Sequence, residues 1–315
     1  MTGSLKTSFD PSEVSVIIPV LNEEKAIGVV IDELIQVGIP LENIVVVDGG
    51  STDKTVEIAR SKGVKVVMQE GKGKALAVKT GLQYVSTPIV VVMDGDGTYP
   101  ASAIPLLYSE LKKKKCSLVI GARLFGKESQ RLIFKIGNKL LTLAFNTLYG
   151  TNLRDVLSGM YMGLTDKMRE VNYEMKGFSV EVEIASHFAN LCDVCEVPIE
   201  YRPRIDPKAK KLGVTHGFKI AVDMIKLTWR YNPTFLIFTL GSLLLIPGLI
   251  LGIWVAYRYY FMGVVHHIKG LAALILVSAG FQSLISAIMA LYVKRLERRV
   301  YMKIDEIKTL VNSTR

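Results

Sequence analysis

From Thr234 to Tyr257 the chain carries no charged residue over about 24 positions, and from Leu271 to Val293 none over about 23. Each run exceeds the roughly 20 residues that cross the hydrocarbon core of a bilayer as a helix. A buried core helix accounts for one such run poorly and for two even less well. Gly241, Pro247, Gly248 and Gly252 interrupt the first run, and residues of this kind are tolerated in membrane helices. The sequence before Thr234 alternates apolar and polar segments, so the chain has two chemical halves.

The basic residues give the expected orientation. Lys219, Lys226 and Arg230 precede the first run, and Lys294, Arg295, Arg298, Arg299 and Lys303 follow the second. The connection Arg258–Gly270 holds only Arg258, Lys269 and two histidines. Positive-inside counting places both ends, and the soluble half with them, in the cytoplasm. Met1–Glu13 is polar with no apolar signal core, so the soluble half is not expected to be exported. A net charge of +10 over 315 residues suits a protein lying on anionic membrane lipid. The sequence holds no nucleic-acid motif and its charge clusters beside the spans, so nucleic acid is not an expected partner. The three cysteines of a cytoplasmic chain are expected to be reduced. Cys192-Asp193-Val194-Cys195 has no second cysteine pair, so a structural zinc is not expected.

Between Val14 and about Arg204, strands and helices take turns. Strands are predicted at Val14–Pro19, Ile44–Val47, Val64–Met68, Ile89–Met93 and Leu118–Ala122. Helices are predicted at Glu23–Val37 with Asn22 as N-cap, then at Thr52–Ser61, Lys74–Val85 and Ala101–Lys113. This order indicates an α/β fold with a mostly parallel sheet covered by helices on both faces. The expected organisation is a catalytic domain over 1–212, a juxtamembrane amphipathic helix over 213–233, a two-span hairpin over 234–293 and a basic cytoplasmic tail over 294–315.

Within that frame Asp94-Gly95-Asp96 stands out. It follows the apolar run Ile89–Met93 and so sits at the C-terminal edge of a strand, where open α/β sheets bind ligands. Gly95 and Gly97 let the backbone turn, so that the two carboxylates can converge. Converging carboxylates suit Mg²⁺ or Mn²⁺, and such ions commonly also bind substrate phosphates. The usual nucleotide signatures are missing. Pro19-Val20-Leu21-Asn22-Glu23-Glu24 stands where a dinucleotide fold has G-x-G-x-x-G. Gly49-Gly50-Ser51-Thr52-Asp53-Lys54-Thr55 has Asp53 at a glycine that a P-loop requires. Glu23, Asp48, Asp94 and Asp96 at strand ends point instead to a metal, ribose hydroxyls or a base.

Val16-Ile17-Ile18-Pro19 with Asn22-Glu23, Val47-Asp48-Gly49-Gly50-Ser51-Thr52-Asp53, Gly71-Lys72-Gly73-Lys74-Ala75 and Asp94-Gly95-Asp96 together resemble family 2 glycosyltransferases of the GT-A fold. Gly121-Ala122-Arg123, Asp155-x-x-Ser158-Gly159 and Glu196-Val197-Pro198-Ile199-x-Tyr201-x-x-Arg204 extend the resemblance to dolichyl-phosphate mannose and glucose synthases. It covers roughly Val14 to Leu212. The Gln-x-x-Arg-Trp of processive polysaccharide synthases is not found.

The resemblance implies metal-dependent, inverting transfer of a hexose from a nucleotide sugar to dolichyl or polyprenyl phosphate, making a lipid donor for glycan assembly. Pro19, Asn22, Glu23, Asp48 and Lys74 would surround the donor. Asp94 and Asp96 would hold its diphosphate through Mg²⁺ or Mn²⁺, with Asp96 the more direct ligand. Arg123 and Arg131, with Lys135, would bind the acceptor phosphate. Arg204 and Lys211, in a segment that also holds Lys208 and Lys210, would close over the donor. Four positions depart from the family pattern: Gly49 for an aspartate, Thr98 for a glutamine, Lys135 for a serine and Gly213-Val214 for Gly-x-Ser-Lys. GDP-mannose, UDP-glucose and UDP-N-acetylglucosamine therefore all stay open as donors. Other readings are transfer to an unphosphorylated membrane lipid such as diacylglycerol, or an inactive lipid-sugar scaffold.

Two amphipathic segments complete the expectation. Ile133, Ile136, Leu140, Ala144 and Leu148 form one helical stripe within Arg131–Tyr149. Such a stripe fits a core-facing helix or a membrane-facing one. Ile220, Met224, Leu227 and Trp229 lie between lysines in His216–Tyr231, the pattern of an interfacial helix.

Overall fold

A computed structural model describes residues 9–113, 116–125, 132–173, 180–191, 193–206, 214–231 and 233–313. The chain divides into two compact units, Met1–Leu227 and Thr228–Arg315. The boundary falls inside a helix, Val214–Tyr231, and not at its end.

In the first unit seven strands form one sheet: β1 Val14–Val20, β2 Ile44–Asp48, β3 Lys65–Met68, β4 Ile89–Val92, β5 Leu118–Phe125, β6 Tyr161–Leu164 and β7 Val194–Glu200. Their spatial order is β3-β2-β1-β4-β6-β5-β7. β6 runs antiparallel to β4 and β5, and the remaining pairs are parallel. The expectation of a mostly parallel sheet is met. The central strands are buried at every position but Pro19, which explains their Val and Ile runs.

The helices of this unit are α1 Ile27–Val37, α2 Thr55–Ser61, α3 Lys74–Leu82, α4 Ile104–Lys112, α5 Leu132–Tyr149, α6 Thr165–Arg169 and α7 Val180–Asn190, and α8 Val214–Tyr231 runs across the boundary. α1 lays Ile27, Val30, Ile31 and Leu34 on the core, as its 3-4 spacing requires, and ends at Gly38 with φ of 93°. It begins four residues later than the sequence suggests, and its N-cap is Ala26. Asn22 is not a cap: it has φ of 56°, and its Oδ1 accepts from the Thr52 backbone N–H at 2.8 Å.

The expected stripe of α5 is exposed at Ile136 and Leu140 and half-buried at Ala144 and Leu148. Ile136, Leu140 and Leu143 are each at least 60 % exposed, while Thr142, Phe145 and Tyr149 on the opposite side are buried. On α8, Ile220, Met224 and Leu227 are buried, whereas Ile225 and Trp229 face outward.

Cys116 and Cys195 are joined in a disulfide, with their Cα atoms 5.8 Å apart, so the expectation of three reduced thiols is not met. The cause is topological: β5 and β7 are neighbours, and the register that sets Val119 beside Cys195 brings the start of β5 alongside the same strand. Cys192 lies outside the described residues.

The second unit contains α9 Pro233–Met262 and α10 His267–Ser313. At about 1.5 Å per residue both are longer than a bilayer core of about 30 Å. Both contain windows apolar enough to cross a membrane. The basic stretch after Val293 continues α10 to Ser313 and is not a separate tail. The two helices meet through small residues. A Cβ on Gly280 would stand 2.7 Å from the Leu245 backbone nitrogen, and one on Gly248 would stand 2.9 Å from Val277 N. Ser283 Oγ donates to the Ile237 carbonyl at 2.8 Å.

Gly280→Leu should therefore force α9 and α10 apart and cost about 1–3 kcal/mol, as overpacking does. Gly137→Ala on α5, where an added Cβ meets nothing within 4 Å, should leave stability unchanged or raised by up to about 1 kcal/mol. Thermal unfolding of both variants in detergent checks the contrast.

Candidate active site

β2, β1 and β4 lie side by side and end at the same edge of the sheet. Val20 pairs with Asp48, and Ile17 pairs with Val92. This alignment gathers Glu23, Asp48, Asp94 and Asp96, which the sequence spreads over seventy-odd positions. Gly97, with φ of 76°, makes the turn after Asp96. Gly95 lies in the turn expected of it and serves a second purpose as well. A Cβ there would stand 2.6 Å from Val20 Cγ1, so glycine allows the loop to lie against β1.

The two loops flanking this edge are stitched together. Asn22 N–H donates to Ser51 Oγ at 2.9 Å, Glu23 N–H to Thr55 Oγ1 at 2.8 Å, and Glu24 N–H to Asp53 Oδ2 at 3.2 Å. Asp48 accepts from the backbone N–H groups of Gly50 and Ser51 at 3.0 and 3.1 Å. Asn22 and Asp48 thus shape the loops in which they were expected to contact the donor. Pro19 is half-buried in β1, paired with Val47.

Each carboxylate of the acid pair meets an internal cation. Lys74 opens α3 directly after Gly73. Its Nζ lies 2.5 Å from Asp94 Oδ1 and 2.6 Å from Glu181 Oε1. Burial works against this ammonium, but Asp94 and Glu181 outweigh it and raise the Lys74 pKa well above the ordinary lysine value. Burial pushes the Glu181 carboxyl up, against the pull of Lys74. Asp96 Oδ1 accepts from Thr98 N–H at 3.0 Å and from Thr98 Oγ1 at 2.6 Å. The departure at Thr98 therefore supplies a hydrogen bond to the acid pair itself. Asp96 Oδ2 stands 3.4 Å from Arg204 Nη1, and Arg204 Nη2 donates to Glu23 Oε1. Arg204 is held there by its backbone neighbours: Arg202 N–H donates to the Thr98 carbonyl at 2.9 Å and Ile205 N–H to that of Asp96 at 3.3 Å.

Burial and the neighbouring charge of Asp94 raise the Asp96 carboxyl above its ordinary range. The pair thus retains like-charge repulsion that a divalent ion would relieve. Among the described residues no group of three or more His, Cys, Asp and Glu forms a metal cage. Two converging carboxylates fit Mg²⁺ or Mn²⁺ only where substrate oxygens complete the shell.

Arg123, expected to meet the acceptor phosphate, pairs with a carboxylate. It is nearly buried on β5, with Nε 2.6 Å from Asp155 Oδ2 and Nη2 2.7 Å from Asp155 Oδ1. Its two-point fork is thus spent on Asp155, which also accepts from Asn138 Nδ2 at 2.8 Å. Burial would raise the Asp155 carboxyl, but Arg123 holds it below its ordinary value. Arg123 Cζ also lies 5.4 Å from the centre of the Tyr201 ring, which meets Tyr99 edge-on. The Tyr99 hydroxyl accepts from Gly159 N–H at 2.6 Å. A Cβ on Gly159 would collide with Asp94 Oδ2. The sequence motif Asp155-x-x-Ser158-Gly159 thus anchors Arg123 at one end and admits the Asp94 carboxylate at the other. Lys135 is half-buried near the start of α5. Arg131, Lys208, Lys210 and Lys211 lie outside the described residues.

The fold and this edge define a nucleotide-sugar-type transferase domain, and comparison with known proteins agrees. Residues 15–171 match the model of glycosyl transferase family 2. Glycosyltransferase AglJ of Haloferax volcanii is 28 % identical over 303 residues, covering 95 % of this chain and 99 % of that relative. A dolichyl-phosphate hexose transferase of the same organism is 30 % identical over 200 residues, covering 63 % of this chain and 86 % of that relative. Glucosyl-3-phosphoglycerate synthase of Mycobacterium tuberculosis, crystallised with Mn²⁺, UDP and phosphoglyceric acid, shares the fold. Its TM-score is 0.57 at 22 % identity, over 69 % of this chain and 78 % of that one. The chain belongs to glycosyltransferase family 2, and it is a glycosyltransferase.

Sequence reasoning missed Glu181, which meets Lys74 across 107 positions. It reads only as an acidic residue in the first turn of a helix, where such residues are common. Gly159→Ala should push Asp94 off its place and lower turnover by about 100-fold, the scale of an ångström-sized misplacement. Circular dichroism should show the fold retained. Asp155→Asn should leave the Arg123 charge buried without its anion and cost about 3–5 kcal/mol in denaturant unfolding.

Proposed function

We propose that this glycosyltransferase moves a hexose from a nucleotide sugar to a polyprenyl phosphate at the cytoplasmic face of a membrane. The observation that carries the reading is the acid pair at the strand edge with Lys74 and Arg204 set against it. A nucleoside diphosphate brings both negative charge and metal-binding oxygens to such a place. The name of the Haloferax relative, dolichyl-phosphate hexose transferase, supports a lipid-phosphate acceptor. So do the two apolar helices and the exposed stripe of α5.

Asp94 and Asp96 would hold Mg²⁺ or Mn²⁺, which supplies Lewis-acid stabilisation of the leaving diphosphate. Lys74 fixes Asp94 in place, and Thr98 fixes Asp96. Arg204 has a buried Nε without a hydrogen-bond partner, and the diphosphate would supply one. The acceptor needs little help from a base. A phosphate monoester has its second pKa at roughly 6 and is an anion at neutral pH. One of its oxygens attacks the anomeric carbon, and the bond from that carbon to the diphosphate breaks as the new one forms. The nucleoside diphosphate departs with the electron pair, and a single displacement inverts the centre.

Acceptor placement falls to Arg131 and Lys135 more than to Arg123, whose fork Asp155 holds. Ile136, Leu140 and Leu143 face outward on the same helix as Lys135, a fitting rest for lipid chains. The distribution of lysine and arginine around the spans supports the cytoplasmic orientation.

Purified protein offered GDP-mannose, UDP-glucose and UDP-N-acetylglucosamine separately, with polyprenyl phosphate and a divalent ion, should give one hexosyl-phosphate lipid detectable by mass. Asp96→Ala should abolish it with folding retained. Arg131→Ala should raise the apparent acceptor KM more than the donor KM. Transfer to diacylglycerol and not to polyprenyl phosphate would overturn the acceptor.

A further inference from the structure

The closed end of the helical hairpin gathers charge that the transfer reaction does not use. Trp254 on α9 stacks on His266 with ring centres 4.9 Å apart and an interplanar angle of 24°. Lys269 Nζ lies 4.6 Å from the centre of the same indole, and Arg258 Cζ lies 5.8 Å from it. Two permanent cations and an imidazole therefore crowd one aromatic ring. Arg258 Nε and His266 Nε2 are buried atoms with no hydrogen-bond partner. The helices that form this end bring no carboxylate to it, since no Asp or Glu occurs between Asp223 and Glu297. Lys269 also stands in the first turn of α10, the end at which a helix dipole repels a cation.

These features share one remedy, an anion with several acceptor oxygens at the depth where a membrane helix ends. We infer that Trp254, Arg258, His266 and Lys269 form a binding site for the headgroup phosphate of a membrane phospholipid. Arg258 and Lys269 donate charge-assisted hydrogen bonds to its oxygens, and His266 supplies a further N–H. Trp254 gives the cations a platform and lies against the glycerol region, the setting tryptophan favours at a bilayer surface. The site belongs to the hairpin alone and needs nothing from the acid pair.

The chain has two tryptophans, so full-length Trp229→Phe protein in a phosphate-free maltoside detergent reports Trp254 fluorescence alone. It would be titrated with phosphatidylglycerol, with diacylglycerol and with inorganic phosphate. A saturable change with phosphatidylglycerol only is expected. Arg258→Gln with Lys269→Gln should weaken it by about 10-fold or more, the scale of one lost charge-assisted hydrogen bond. If the double variant does not stay monodisperse, Lys269→Gln alone serves, because that side chain is exposed. Native mass spectrometry should show fewer retained phospholipids on the same variants. An equal response to diacylglycerol, or an unchanged response in the variants, would overturn the site. Saturation by inorganic phosphate at the same concentrations would make it a free-anion site and overturn the lipid assignment. Neither hexosyl transfer nor its loss enters these readouts.

Discussion

Carboxylates gathered at one sheet edge repel one another, and the site depends on how that repulsion is met. The parallel pairing of β2, β1 and β4 sets Glu23, Asp48, Asp94 and Asp96 together. Charges this close interact strongly wherever water is partly excluded. The protein answers with Lys74 between Asp94 and Glu181, and with Arg204 between Glu23 and Asp96. Asp48 is met by backbone N–H groups instead. The Asp96 carboxyl stays raised by burial and by Asp94, which is the repulsion that the divalent ion of the proposed reaction would relieve. The cations come from α3 and from the segment after β7, so distant parts of the chain converge on the same strand ends.

Much of this was legible in the sequence, for physical reasons that differ by residue. Ile89–Met93 reads as a buried strand because both faces of a parallel sheet are covered, and Asp94 and Asp96 then fall at its end. Helix α3 after Gly71-Lys72-Gly73 was equally plain. Asn22 was misread because Asn is both a good N-cap and one of the few side chains that tolerate a left-handed backbone. In the structure it does the second, and its side chain ties the β2 loop. Arg123 read as a phosphate ligand from its motif, but a guanidinium fork fits a carboxylate as well as a phosphate, and Asp155 stands within reach. Glu181 and the Cys116–Cys195 link carry no local signal, since each partner is set by topology alone.

The amphipathic segments show the same limit. A 3-4 stripe identifies a helix and an apolar face but not what covers the face. On α5 the stripe faces outward at Ile136 and Leu140 and is half-buried at Ala144 and Leu148, and on α8 most of it is buried. In the hairpin, glycines at 241, 248 and 280 mark the contact between α9 and α10, where close approach replaces hydrophobic driving force. The first unit is thus an α/β domain, and the second is a pair of long apolar helices in contact through small residues.

The central claim is that Asp94 and Asp96, balanced by Lys74 and Arg204, receive a nucleoside diphosphate together with a divalent ion. Calorimetric titration of the full-length protein with UDP and with GDP, in Mn²⁺ and again in EDTA, tests it most directly. The account predicts binding of one nucleotide that requires the ion and disappears in Asp96→Asn. Equal affinity in EDTA, or undiminished binding by Asp96→Asn, would contradict it.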